Sequence, residues 1–153
     1  MKINFDRALL RESDYAGLNV VIRNSKGEVM AALSEKIVKP SVEKLVKIMV
    51  AHCAVLFSIE TGFHNLVFEE DSTTVIKLLQ GRNVSHSQGG HILKDIISRL
   101  NSFQSCFFSH VGRQGDAVVH ALTHRVRLSF PLEVWIESVP LDISSFVLSD
   151  LRV

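Results

Sequence analysis

Residues 65–81 read NLVFEEDSTTVIKLLQG, and the fold is decided here. Asn65 to Glu69 is a short apolar run of strand length. It follows a long helical pattern, and a strand that follows a helix favours parallel addition to a sheet. Asp71-Ser72 stands at the strand's tip, where a side-chain oxygen can cap the helix TTVIKLLQG.

Upstream of this element lie three strand-like segments. KINFDRA (2–8) alternates only partly, GLNVVIRN (17–24) is a better strand, and EVMAALSEKI (28–37) returns after the turn Asn24-Ser25-Lys26-Gly27. Their tight connections make an antiparallel meander. Pro40 and Ser41 mark a helix entry, with Ser41 as the expected N-cap. The helix carries Leu45, Ile48, Met49, His52, Val55 and Leu56 on one broad face and ends at Gly62.

Downstream, GRNVSHSQGG (81–90) reads as a polar loop and HILKDIISRLNS as a third helix. QSCFFSHV (104–111) is a fifth strand, and Gln114-Gly115-Asp116 opens a last helix, AVVHALTHRVRL. The expected order is βββαβααβα: an α/β fold with a mixed five-stranded sheet, three antiparallel strands then parallel additions, and helices on both faces. Residues 1–130 form the domain. The tail, 131–153, carries Trp135, Ile136, Val139, Ile143, Phe146 and Val147, and so much apolar surface is expected to dock on the domain or on a partner.

A length of 153 residues suits one domain with a substantial core. A net charge of +1 does not by itself point to nucleic acid, since electrostatic binders carry a larger basic excess. No apolar run reaches the roughly 20 residues needed to cross a bilayer, so no membrane association is expected. The charged N-terminus MKINFDRALLRES does not read as a signal peptide. Cys53 and Cys106 are too few for a disulfide framework and read as small buried hydrophobes, which suits a reducing, intracellular compartment.

Five ordered motifs sharpen this outline. KINFDRA, GLNVVIRNSKGEVMAALSEKI, VFEEDSTTVIKLLQG, FFSHVGRQGDAVVHALTHRVR and the ending LEVWIESVPLDISSFVLSDL together resemble the plant reverse-transcriptase-like, retrotransposon-derived type-1 ribonuclease H domains. The resemblance implies a ribonuclease H-like fold and Mg²⁺-dependent endonucleolytic hydrolysis of RNA in RNA–DNA hybrids. Four acids would hold two Mg²⁺ ions, one activating water and one stabilising the leaving oxygen. Asp6 matches the first-strand acid and Asp71 the acid after the fourth strand. Counted back from Ala54-Val55, the first-helix acid falls on Lys47, and the last-helix acid falls on His120.

Half of the acidic cluster is therefore replaced. A cation beside a divalent ion costs several kcal/mol at a few ångströms. Lys47 is expected instead to stand in for a metal and to pair with Asp6 or Asp71. His120 can ligate metals, but Mg²⁺ prefers oxygen. Glu43 and Asp116, each four residues before a replaced acid, share its helix face but sit about 6 Å along the axis. Asp116 also reads as a cap. The resemblance assigns His110, with Arg113 and Asp116, to substrate contact. It leaves two readings: a hybrid-cleaving enzyme, or a non-catalytic descendant that binds nucleic acid or a protein, the latter favoured by Lys47 and His120. His52 reads as a core or edge histidine, His86 and His91 as loop residues, and Lys94, Arg99, Arg125 and Arg127 as solvated helix charges.

Overall fold

The computed structural model describes residues 1–9, 14–70, 73–81, 89–112, 118–119, 121 and 132–137. The chain begins with β1 (Lys2–Leu9), β2 (Tyr15–Arg23) and β3 (Val29–Val38). These are followed by α1 (Glu43–Thr61), β4 (Asn65–Glu70), α2 (Thr73–Gly81) and α3 (Gly90–Arg99). A short 3₁₀ turn (Leu100–Ser102), β5 (Ser105–His110) and β6 (Leu132–Ile136) complete the described elements.

The strands lie in the order β5-β4-β1-β2-β3-β6. The meander β1-β2-β3 is antiparallel, while β4 adds parallel to β1 and β5 parallel to β4. Residues 16–23 of β2 are all buried. A strand covered on both faces reads as a continuous apolar run rather than an alternation. The β2–β3 turn is held by Asn24, whose Oδ1 accepts from the amides of Lys26 and Glu28 at 2.9 and 3.0 Å.

On one face, Ile3, Phe5, Leu18, Val20 and Leu33 meet α1, α2 and α3 in the main core. Phe68 anchors its far end, stacked on Phe108 at 5.3 Å and tilted against Phe103 at 6.0 Å. Gly62 ends α1 at φ 81°, a left-handed conformation that glycine adopts without steric cost. Gly89 lies so close to α1 that an added Cβ would stand 2.9 Å from Ile48 Cδ1. A smaller core on the opposite face joins Val21, Val29 and Ala32 to Val118 and Val119, with Trp135 packed against it.

Two expectations need correction. Among the described residues the sheet has six strands, not five, because residues 132–136 of the tail pair antiparallel with β3. Backbone pairing and the burial of Trp135 drive this addition. Ser41 is not the N-cap of α1: that position is Val42, with no side-chain cap. The helix starts two residues after Ser41, and Leu45 N donates to Val42 O at 3.1 Å. Most of the expected last helix lies outside the described residues. No described helix is long and apolar enough to cross a membrane.

Candidate functional site

The parallel pair β1 and β4 sits mid-sheet, and both strands deliver their C-terminal ends to the same edge. Asp6 stands there with 4% exposure. Its Oδ1 accepts a hydrogen bond from Arg7 N at 2.9 Å and lies 3.7 Å from Arg7 Nη1. Through Nη2 the same guanidinium reaches Glu43 Oε1, in the first turn of α1, at 3.4 Å. One cation thus links the strand acid to the helix acid.

Lys47 lies one turn further along α1 and is half-buried. Of the expected bridge from Lys47 to Asp6 or Asp71, no Lys47–Asp6 ion pair forms among the described residues, and Asp71 lies outside them. Arg7 is the cation that faces Asp6.

Polar residues line the sheet beneath. Register pairs Asp6 with Asn19, and Asn19 with Ser34. Ser34 Oγ donates to Asn19 Oδ1 at 2.7 Å, and both residues are essentially inaccessible. Two residues before Asp6, Asn4 Oδ1 accepts from Arg23 Nε at 3.1 Å and from Nη2 at 2.8 Å. Asn4 Nδ2 donates in turn to Glu69 Oε1 at 3.1 Å, and Arg23 Nη2 stands 4.0 Å from the same carboxylate. All three side chains are buried, so the network satisfies groups that would otherwise be costly to desolvate. It ties β2, β1 and β4 together one rung below the site.

Sequence reasoning did not single out Asn4, Asn19, Arg23 or Ser34. Their alternation with apolar residues reads as a solvent face, whereas this face is covered. Glu69 and Glu70 were also passed over, although both are buried. The signal available was the acidic run Glu69-Glu70-Asp71 at the tip of an apolar strand.

His110 ends β5, exposed, with Glu70 as its register partner. Two strand spacings separate it from Asp6. Asp71, Arg113, Asp116 and His120 lie outside the described residues. Among the described residues no group of three or more His, Cys, Asp or Glu side chains could hold a metal ion. The described part of the site holds the buried carboxylate of Asp6, which faces the Arg7 guanidinium.

Comparisons with known proteins agree on the architecture. The family described as reverse transcriptase-like matches residues 4–126. No curated protein matches the chain. Ribonuclease H1 from the halophilic archaeon Halobacterium salinarum superposes with a TM-score of 0.68 at 20% identity, over 82% of this chain and 96% of the other. LC11 ribonuclease H1 in complex with an RNA/DNA hybrid gives 0.71 at 18% identity, over 84% and 99%. The foamy viral protease-reverse transcriptase in complex with RNA/DNA hybrid gives 0.68 at 12% identity, over 82% of this chain and 19% of that one.

Proposed function

Since the chain belongs to the reverse transcriptase-like family, we propose that it is a ribonuclease H-type domain that binds RNA–DNA hybrid duplexes without metal-dependent cleavage. The binding site is the edge formed by the C-terminal ends of β1, β4 and β5. The observation that carries this reading is the Arg7 guanidinium held between Asp6 and Glu43. At an effective dielectric of about 20, a unit positive charge some 5 Å from a divalent cation costs several kcal/mol. Lys47, where the family resemblance places an acid, adds to the same repulsion.

Positive charge that repels a cation attracts a phosphate. Arg presents a planar fork suited to phosphate oxygens, and Lys offers a compact charge. Arg7 and Lys47 therefore contact the duplex backbone, while Asp6 holds Arg7 in place. The same reading sets Asp71 and His120 beside Asp6, and His110, Arg113 and Asp116 at the strand passing over β5. For Asp71 it is supported by the register of Asn4 with Glu69, each two residues before an acid. That two structural relatives were solved with RNA/DNA hybrid supports the ligand class.

The test pairs binding with cleavage. Fluorescence anisotropy of a labelled RNA–DNA hybrid should report the same affinity in EDTA as in Mg²⁺. Arg7→Glu should weaken it about tenfold and flatten its salt dependence, because a phosphate contact is lost. Hybrid cleavage that needs Mg²⁺ and disappears with Asp6→Asn or Asp71→Asn would overturn the proposal in favour of an enzyme.

A further inference from the structure

A cavity of about 430 Å³ lies between α1 and the β3–β6 side of the sheet. Its walls come from β2, β3, β6, α1 and α3, through apolar side chains such as Leu18, Leu33, Met49, Phe57 and Ile92. Close-packed interiors leave few voids larger than one water. Small-molecule sites are concavities of about 300–1,000 Å³ with apolar walls and a few polar groups. None of Asp6, Arg7, Glu43 or Lys47 lines this space, so it is separate from the edge assigned above to the duplex.

The polar part of the lining is one-sided in charge. Half-buried Glu35 and exposed Glu60 contribute carboxylates. Among the described residues no Lys or Arg lines the cavity, and neither carboxylate has an ion pair. What Glu35 holds is the Cys53 thiol, which donates to its Oε2 at 3.8 Å. His52 also lines the cavity but is engaged elsewhere. Its Nε2 stands 2.6 Å from Asp95 Oδ2, an oxygen that also accepts from Arg99 Nε at 2.7 Å. Burial, then the charges of Glu35 and Glu60, push the Cys53 thiol up to about 12. Both negative charges are therefore felt at one point of the wall, where apolar surroundings weaken screening by water.

We propose that this cavity binds a small organic cation, its apolar body against Leu18, Leu33, Met49 and Phe57 and its ammonium or amidinium head at Glu35 and Glu60. Volume, apolar walls and two carboxylates without a cation select this class together. An anion would be repelled by both glutamates, and a neutral apolar molecule would take their water without answering their charge. A metal ion does not suit the lining, because the described residues hold no group of three or more His, Cys, Asp or Glu side chains able to ligate one.

The test uses the full chain with isotope-labelled methionine methyls, since Met49 lines the cavity and Met1 and Met30 do not. Phenylbutylamine, an ammonium at neutral pH, is titrated beside phenylbutanol and phenylbutyrate, which share its apolar body. The amine should move the Met49 resonance at roughly 0.1–1 mM and leave Met1 in place. The alcohol should bind about tenfold more weakly, and the carboxylate should not bind. Glu35→Gln with Glu60→Gln should weaken the amine about tenfold and leave the alcohol unchanged. Should the double variant lose both probes, its fold has failed, and the single variants decide, each weakening the amine about threefold. A carboxylate that binds as tightly as the amine overturns the proposal, as do variants that bind the amine like the parent chain. A Met49 resonance unmoved by every probe shows a cavity closed to small molecules, and one that moves with protein concentration alone assigns it to a second copy. Either result overturns the proposal equally.

Discussion

Replacing Arg23 with alanine tests the buried network beneath the site. Arg23 donates twice to Asn4 Oδ1, at 3.1 and 2.8 Å, and is the cation nearest Glu69, at 4.0 Å. Both side chains of the charged pair are about nine-tenths buried, so solvent screens them little. A hydrogen bond with one charged partner contributes about 1.5–3 kcal/mol, and two to one oxygen are worth little more than one. Leaving the Glu69 carboxylate without its cation adds a further ~1–3 kcal/mol. The sum, about 3–5 kcal/mol, agrees with the cost of breaking buried pairs elsewhere. Total stabilities are about 5–15 kcal/mol, so Arg23→Ala should lower Tm by roughly 10 °C. Urea unfolding followed by circular dichroism measures it. Adding Glu69→Gln should recover about 1–2 kcal/mol, because a neutral amide does not need the cation. A loss below about 1 kcal/mol for Arg23→Ala, or no recovery in the double variant, would refute the reasoning.

Other outcomes follow from single features. Phe68→Ala removes a fully buried ring that meets Phe103 and Phe108, and should cost about 3–5 kcal/mol in the same assay. Gly62→Ala meets no atoms within 4 Å, so its cost is conformational only, about 1–2 kcal/mol for a left-handed alanine. Burial, then the charges of Glu35 and Glu60, push the Cys53 thiol up to about 12. Thiolate absorbance should therefore be missing for Cys53 at pH 10, and the stability its neutral form lends is full below pH 9 and lost as pH rises through about 12. Hydrogen bonds from Arg99, then His52, hold the Asp95 carboxyl below its ordinary value. Its contribution is present above the ordinary carboxylate range and fades as pH falls through the lowered value, so Asp95→Asn should flatten the acid limb of stability.

Much of the fold was legible because apolar patterning sets strands and helices directly. The α2 range 73–81 and the Gly62 stop match the structure residue for residue. β1 was harder. Asn4 and Asp6 look like a solvent face, yet both are buried. β6 escaped because its apolar residues point outward while Trp135 packs inward. Strand pairing there comes from the edge of β3, which no local pattern announces. At the site, Asp6 could be picked out by motif, but its partner could not. Among the described residues the cation facing Asp6 is Arg7, a neighbour in the strand that no motif singled out.

The sheet order also has a kinetic side. β1, β2 and β3 are neighbours in the chain and can pair through short loops. β4 must find β1 across a separation of 65 residues, as between Asn4 and Glu69. Closing a long loop is entropically costly, and such contacts form late and open early. The meander should therefore be the more persistent unit in native-state hydrogen exchange, with the β1–β4 seam opening before it. The edge where a duplex would be gripped forms after the meander each time the chain refolds. A ligand seated across that seam would bind only the closed form and would slow its opening.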